Sequence, residues 1–222
     1  MNKEEIIKLK IEIYSNVYDA VAFNNPAYVG AEIEKLNAQL ELLKEMRERG
    51  SKMNYAKIKH FDIANGPGIR TSVFVSGCSN HCKGCFNPET WDPTYGNKFT
   101  EETIKEILDS IDNPHIDGLS ILGGDPLEYY NLDMVHKLID SFRKRFGFDK
   151  TIWMWTGYTI ENIMNDDRKC EVARLVDVLV DGPFIERKKD LKLMYRGSSN
   201  QQIIDMQLSQ TFNTMILKDE YM

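Results

Sequence analysis

The sequence predicts an α/β fold with a mostly parallel sheet, preceded by an N-terminal α-helical hairpin. Three observations carry this expectation. Strand-like and helix-like runs alternate from Met53 onward, polar glycine-containing loops follow the strand candidates, and residues 1–52 show a helical apolar period alone.

Ile7, Ile11, Tyr14, Tyr18 and Val21 recur at steps of four and three, and Val29, Ile33, Leu36, Leu40 and Leu43 repeat the pattern. Such spacing puts apolar side chains on one face of a helix. Asn24-Asn25-Pro26 interrupts the two stripes, because proline lacks the amide hydrogen a helix interior needs. The pair is therefore expected to fold back on itself and to end at Arg49-Gly50-Ser51. Met53-Asn54-Tyr55 reads like the start of a self-sufficient domain, which divides the chain into a 1–52 helical hairpin extension and a 53–222 main domain.

In the main domain, Thr71-Ser72-Val73-Phe74-Val75, Leu119-Ser120-Ile121-Leu122, Thr151-Ile152-Trp153-Met154-Trp155 and Val176-Asp177-Val178-Leu179-Val180 are strand candidates, rich in β-branched and aromatic residues. Helices are expected over 101–111, 132–146 and 159–172. Alternation of this kind implies right-handed crossovers and parallel strands. Function in such sheets gathers at the carboxyl ends of the strands. A cysteine loop follows Val75, Gly123-Gly124-Asp125-Pro126 follows Leu122, Thr156-Gly157-Tyr158 follows Trp155, and Asp181-Gly182-Pro183 follows Val180. The four loops are expected to converge on one rim.

Lys and Arg total 28 against 34 Asp and Glu, a formal net charge of −6. That balance argues against a nucleic-acid binder, which needs a basic surface for phosphates. No apolar run approaches the roughly 20 residues of a membrane span, and the N-terminus lacks a signal-peptide pattern, so a cytoplasmic location is expected. In a reducing compartment clustered thiols are metal or redox groups before they are disulfides.

Three of the four cysteines fall within Gly77-Cys78-Ser79-Asn80-His81-Cys82-Lys83-Gly84-Cys85-Phe86. A structural zinc site takes four ligands, commonly from two close pairs, whereas Cys170 lies far away in a helix candidate and His81 sits between two cysteines of a compact loop. A redox pair leaves Cys78 without a role. An iron–sulfur cluster uses all three thiolates and leaves one iron of a 4Fe–4S cluster for another ligand. Zinc completed by His81 stays the alternative on spacing alone.

The CxxxCxxC loop directly after a first strand, with Gly123-Gly124-Asp125-Pro126 one strand and helix later, resembles the radical S-adenosylmethionine (SAM) superfamily. Asn65-Gly66-Pro67-Gly68-Ile69-Arg70-Thr71 and Phe86-Asn87-Pro88-Glu89-Thr90-Trp91 are similar to segments of the glycyl-radical-enzyme activases. Arg196-Gly197-Ser198-Ser199-Asn200-Gln201 narrows the resemblance to the activases of anaerobic ribonucleoside-triphosphate reductase, over about residues 53–217. It implies a partial (βα) barrel of the radical SAM type, since residues 53–222 fall short of the about 250 typical of an eight-unit barrel. The open side would accept a peptide loop.

The resemblance further implies an electron from a flavodoxin-like or ferredoxin-like donor, reductive cleavage of SAM to methionine and a 5′-deoxyadenosyl radical, and removal of hydrogen from a glycine Cα of the partner reductase. Cys78, Cys82 and Cys85 would hold three irons and SAM would take the fourth. Gly84, Cys85 and Phe86 would lie near the adenosyl part, Gly123 and Gly124 near methionine, and Asp125, where many members carry Glu, near the SAM ammonium. No catalytic side chain is implied beyond the cluster and SAM. Asn65 replaces the Asp of the formate-lyase-activase pattern, which favours the reductase activases. The rival readings are an activase of another glycyl-radical enzyme, a small radical SAM enzyme of deazapurine biosynthesis, and a noncatalytic metal-binding adaptor.

The remaining signals have plainer readings. Gly66 to Thr71 imitates a dinucleotide fingerprint but precedes its strand and opens no helix. Arg70 is either a surface cation or faces the pocket. Trp153 and Trp155 share a strand phase and are expected in the core, Tyr158 is expected to line the site, and Cys170 is expected to be a buried small hydrophobe. His60, His115 and His136 have no matching partners. Arg187, Lys188, Lys189, Lys192 and Arg196 form a basic run expected to be a solvated face, with partner docking the alternative.

Overall fold

The computed structural model describes residues 53–221 continuously, and Ile7, Lys8, Ile11, Ile33, Glu34, Leu36 and Asn37 before them. Two compact units divide the chain, Met1–Arg49 and Gly50–Met222. In the first, those seven residues are helical, and Ile7 and Leu36 meet in a buried cluster with Ile11 packed against it. The Asn24-Asn25-Pro26 turn and the helix ends lie outside the described residues.

The second unit is a mixed α/β fold. Seven strands run β1 (Asn54–Asp62), β2 (Arg70–Val75), β3 (Asn97–Lys98), β4 (Gly118–Gly123), β5 (Thr151–Trp155), β6 (Val178–Asp181) and β7 (Gln202–Asp205). They form one sheet in the order β3-β1-β2-β4-β5-β6-β7. The strands foreseen from the sequence, β2, β4, β5 and β6, pair in parallel at its centre, with Val73 beside Ile121, Ile121 beside Met154 and Met154 beside Leu179. Antiparallel strands flank them: β1 and β3 on one side, β7 on the other.

Among the described residues of this unit the helices are α1 (Glu101–Ile111), α2 (Leu132–Phe146), α3 (Ile160–Met164), α4 (Asp167–Ala173) and α5 (Met206–Phe212). Helix α1 starts at a capping box in which Thr100 and Thr103 satisfy each other's backbone amides. Helix α2 buries Leu132, Val135, Leu138, Ile139 and Phe142, one stripe at steps of three, three, one and three. The single helix expected over 159–172 is instead two. Asp166 accepts from the amides of Arg168 and Lys169 at 3.1 and 3.2 Å, so it caps a new helix where the sequence reading continued the old one.

Side chains alternate across the sheet. Val73, Val75, Leu119, Ile121, Ile152, Met154, Leu179 and Ile204 join the core under the helices. Trp153, Val178, Val180 and Ile203 form a second cluster with Trp155, Tyr195 and Tyr221 packed against it. Arg70 is fully buried on this second side. Its guanidinium donates to Ser120 Oγ at 2.7 Å, Thr151 Oγ1 at 3.0 Å and the carbonyls of Leu119 and Thr151 at 2.8 Å each. It is thus neither a surface cation nor part of the cavity wall, and burial pulls its pKa down to about 10.

Helix α2 stops at Gly147, whose φ of 56° and ψ of −125° suit glycine alone, while an added Cβ would meet nothing within 4 Å. Gly147→Ala is therefore expected to destabilise the fold by about 1 to 2 kcal/mol through backbone strain only. Urea denaturation checks this, and an unchanged midpoint contradicts it.

Candidate metal centre

The four loops at the carboxyl ends of β2, β4, β5 and β6 do meet. They surround a cavity of about 530 Å³ whose wall includes Cys78, Cys82 and Cys85 from the first, Gly123 and Gly124 from the second, Thr156 and Gly157 from the third, and Gly182 from the fourth. Gly84 and Phe86 also line it, so every expected site residue except Asp125 faces this space. The size suits a small-molecule site. The three cysteines are free and half-buried. Burial pushes the Cys78 thiol up to about 11, with the Asp125 and Glu128 carboxylates adding to the rise and hydrogen bonds from Asn80 opposing it. Cys82 is raised in the same direction, again by burial first.

The donor set fits a cluster. Three cysteines from one loop line one cavity, and Gly123 and Gly124 of the neighbouring loop bring no competing side-chain ligand to its wall. Among the described residues no group of three His, Cys, Asp or Glu is drawn together tightly enough for a single metal ion. A cluster that gives each cysteine its own iron does not ask that of them. His81 sits at φ 44°, a left-handed turn, and its ring stacks on Trp91 at 4.7 Å rather than joining the sulfurs in the cavity wall.

The two glycines after β4 serve close packing as well as access. A Cβ on Gly123 would lie 2.6 Å from the Val75 carbonyl, and one on Gly124 would lie 2.4 Å from that of Gly77. Gly124 donates its amide to Val75 O at 2.7 Å, drawing this loop against the start of the cysteine loop.

Asp125 lies behind the wall. It is fully buried, and its carboxylate accepts from Leu127 N at 3.0 Å, Gly157 N at 2.9 Å, Thr156 Oγ1 at 2.8 Å and Asn80 Nδ2 at 3.3 Å. Asn80 comes from the cysteine loop and Thr156 and Gly157 from the loop after β5. The aspartate therefore ties three rim loops together, and these bonds occupy both oxygens. Burial lifts its carboxyl to about 6, against the opposing hydrogen bonds.

Several sequence readings shift. Tyr158 does not line the cavity; it packs on the main core, with the Lys169 ammonium 4.7 Å from its ring. Trp155 does line it, and its indole donates to Tyr195 O at 2.7 Å. Trp153 is buried as expected. Cys170 is buried, its sulfur 3.7 Å from that of Met164. His60 lies 3.3 Å from Glu106 and His136 4.0 Å from Glu171, both half exposed. The basic run is only partly a solvated face, since Lys189 and Arg196 line the cavity with Leu191 and Leu193. Asn80, Glu128 and Phe184 went unforeseen, because their roles depend on contacts between distant loops. Lys83 pairs with Glu186 at 3.2 Å, but so exposed a pair contributes little.

Comparison with known proteins agrees with this geometry. Residues 64–204 match the family model described as a 4Fe-4S single cluster domain. An anaerobic ribonucleoside-triphosphate reductase-activating protein of Vibrio cholerae is 42% identical over 153 residues, covering 68% of this chain and 97% of the relative. The protein of the same name from Enterobacteria phage T4 is 40% identical over 151 residues, covering 68% of this chain and 93% of its own. That of Escherichia coli K12 is 40% identical over 153 residues, covering 68% and 97%. The chain thus belongs to the family of anaerobic ribonucleoside-triphosphate reductase-activating proteins.

Proposed function

We propose that this protein reductively cleaves SAM at a 4Fe–4S cluster and generates a glycyl radical on an anaerobic ribonucleoside-triphosphate reductase. The observation that carries the reading is the meeting of Cys78, Cys82 and Cys85 with Gly123 and Gly124 in one cavity. The names of the relatives support the choice of partner. When bound, the cluster and SAM supply the electron and the 5′-deoxyadenosyl radical that takes hydrogen from a glycine Cα.

The polypeptide supplies ligands, aim and shelter. Cys78, Cys82 and Cys85 would hold three irons as thiolates; because burial keeps the free Cys78 thiol protonated up to about 11, metal binding must release that proton. Gly84, Cys85 and Phe86 would flank the adenosyl part, and the Gly123–Gly124 backbone would leave room for methionine. Asp125 holds those loops in register instead of meeting the SAM ammonium. Trp155, Phe184, Leu193 and Tyr195 give the cavity an apolar wall that limits water around a reactive radical. Phe86, 81% exposed at the cavity, is placed to meet an incoming peptide.

On this reading the sheet is the open, partial (βα) barrel of the radical SAM type, and residues 1–52 are a helical hairpin extension to the 53–222 activase domain. No helix among the described residues is long and apolar enough to cross a membrane. The setting we propose is cytoplasmic, with a flavodoxin-like or ferredoxin-like donor and no nucleic-acid or membrane partner. Anaerobic incubation of the reduced protein with SAM and the reductase is expected to yield 5′-deoxyadenosine and a glycyl doublet in the electron paramagnetic resonance spectrum of the reductase. SAM cleavage that never leaves a radical on the reductase would rule out this partner.

A further inference from the structure

We propose that Glu128 is a positioning residue for the cysteine loop, fixing the approach of Cys78 to the cluster before iron arrives. The inference rests on the cluster reading above only for the identity of what the cysteines hold. Glu128 is 6% exposed, and it stands outside the cavity wall on the segment between β4 and α2. Its Oε1 accepts from the Ser79 amide at 2.8 Å and from the Ser79 hydroxyl at 2.5 Å. Ser79 directly follows the first cysteine, so a charge-assisted pair of hydrogen bonds ends one residue from the ligand.

The same segment holds the chain on the other side of Cys78. Asp125 donates its amide to Gly77 O at 2.8 Å, and Asn131 Nδ2 donates to Ser76 O at 3.1 Å and Asp125 O at 2.9 Å. The segment is closed on itself by Glu128 N to Asp125 O at 3.2 Å and Asn131 N to Glu128 O at 2.8 Å. Asn131 opens helix α2, and its side chain reaches the cysteine strand instead of capping its own helix. Residues 76, 77, 79 and 80 are therefore all bonded to residues 125–131, a grip on both flanks of Cys78. The other two cysteines are held differently: Phe184 N donates to Cys82, and Cys85 N to Cys82 O at 3.1 Å. The grip acts on the first ligand selectively.

The test compares wild type, Glu128→Ala, Glu128→Gln and Ser79→Ala as full-length chains under anaerobic reducing conditions. Mass spectrometry reads the alkylation rate of each cysteine before reconstitution with iron and sulfide, and a chelator reads the rate of iron loss afterwards. Glu128→Ala is expected to speed Cys78 alkylation about tenfold, the low end for losing a hydrogen bond to a charged group. Cys85 is expected to stay within about twofold, the noise of a surface change. Iron loss should accelerate in Glu128→Ala but not in Glu128→Gln, whose amide oxygen still accepts both Ser79 hydrogens. Because the Glu128 carboxylate also helps raise the Cys78 thiol, Glu128→Gln reads the effect of lost charge alone, and the Cys78 alkylation rate of Glu128→Ala must exceed it.

Cys78 reactivity in Glu128→Ala no higher than in Glu128→Gln, or an equal rise at all three cysteines, overturns the proposal. Should that variant fail to accumulate as folded protein, Ser79→Ala decides: it removes the hydroxyl bond and keeps the amide bond, so a smaller but still Cys78-selective rise is required. A wild-type chain that takes up no iron overturns the cluster reading, and the alkylation rates before reconstitution still decide the role of Glu128.

Discussion

Cys82→Ala is expected to abolish SAM cleavage while leaving the fold in place. Cys82 is half-buried in a loop and belongs to none of the core clusters, and its backbone carbonyl, which accepts from Cys85 N, survives the substitution. Removal of this half-buried thiol, with the bond it accepts from Phe184 N, should change stability by about 1 kcal/mol. The chemical consequence is far larger, because two remaining thiolates cannot grip three corners of a cluster. Iron and sulfide content after anaerobic reconstitution should collapse, and 5′-deoxyadenosine production should fall to background, with circular dichroism and the thermal midpoint close to wild type. Cys170→Ala provides the contrast. Its sulfur is buried beside Met164, so iron content should persist while stability drops by about 1 kcal/mol. Full cluster uptake by Cys82→Ala would refute the ligand assignment.

The second large effect belongs to Asp125. In Asp125→Asn the amide keeps one oxygen for Leu127 N and Thr156, but its NH2 then faces the Gly157 amide and the Asn80 side chain, both donors. Each buried group left without a partner costs about 1–3 kcal/mol, so a total loss of about 2 to 5 kcal/mol is expected. Loosening of the rim should also weaken SAM binding without removing any iron ligand.

The pH dependence has a definite sign. Burial raises the folded Asp125 carboxyl from its ordinary 3.8 to about 6. The folded state therefore binds more protons than the unfolded state between those values, and this group's contribution declines as pH rises from about 4 to about 6, by about 3 kcal/mol. Above that it is flat. Asp166 works in a lower window: hydrogen bonds from Lys169 and Tyr129 outweigh burial and hold it near 2, so its contribution is lost only as pH falls below about 4. Asp181, raised by burial, adds to the decline in both proteins. Urea midpoints at pH 4.5 and 7 should thus fall with pH more steeply in wild type than in Asp125→Asn. Parallel slopes and equal midpoints would remove Asp125 from the role of loop tie.

Much of this architecture is legible in the residues. The four parallel strands are short runs rich in β-branched and aromatic residues and largely buried, and α1 and α2 carry apolar stripes at helical spacing, so Thr151–Trp155 and both helices coincide with the sequence pattern. Strand β1 escapes such a reading because Lys57, Lys59 and Phe61 point to an open face, and β7 is only four residues long. The cysteine loop and the Gly123–Gly124 pair announce themselves by type and spacing. Glu128 does not: nothing local marks a glutamate whose partner lies 49 residues upstream. The pattern marks Asp125 as a site residue near the SAM ammonium, whereas its hydrogen bonds run to Asn80, Leu127, Thr156 and Gly157 of the rim loops. The place of Tyr158 is equally illegible locally, since its ring packs on the core cluster beside Lys169, which lies 11 residues further along the chain.

The proposed radical chemistry requires a cluster held by three sulfurs with one iron open to SAM. Mössbauer spectroscopy of protein reconstituted with isotopically enriched iron, recorded before and after addition of SAM, tests this most directly. One iron site of the four should shift its parameters toward those of a site with added nitrogen and oxygen ligands, while the other three stay as they were. Four sites indifferent to SAM, or a centre that takes zinc in place of iron, would contradict it.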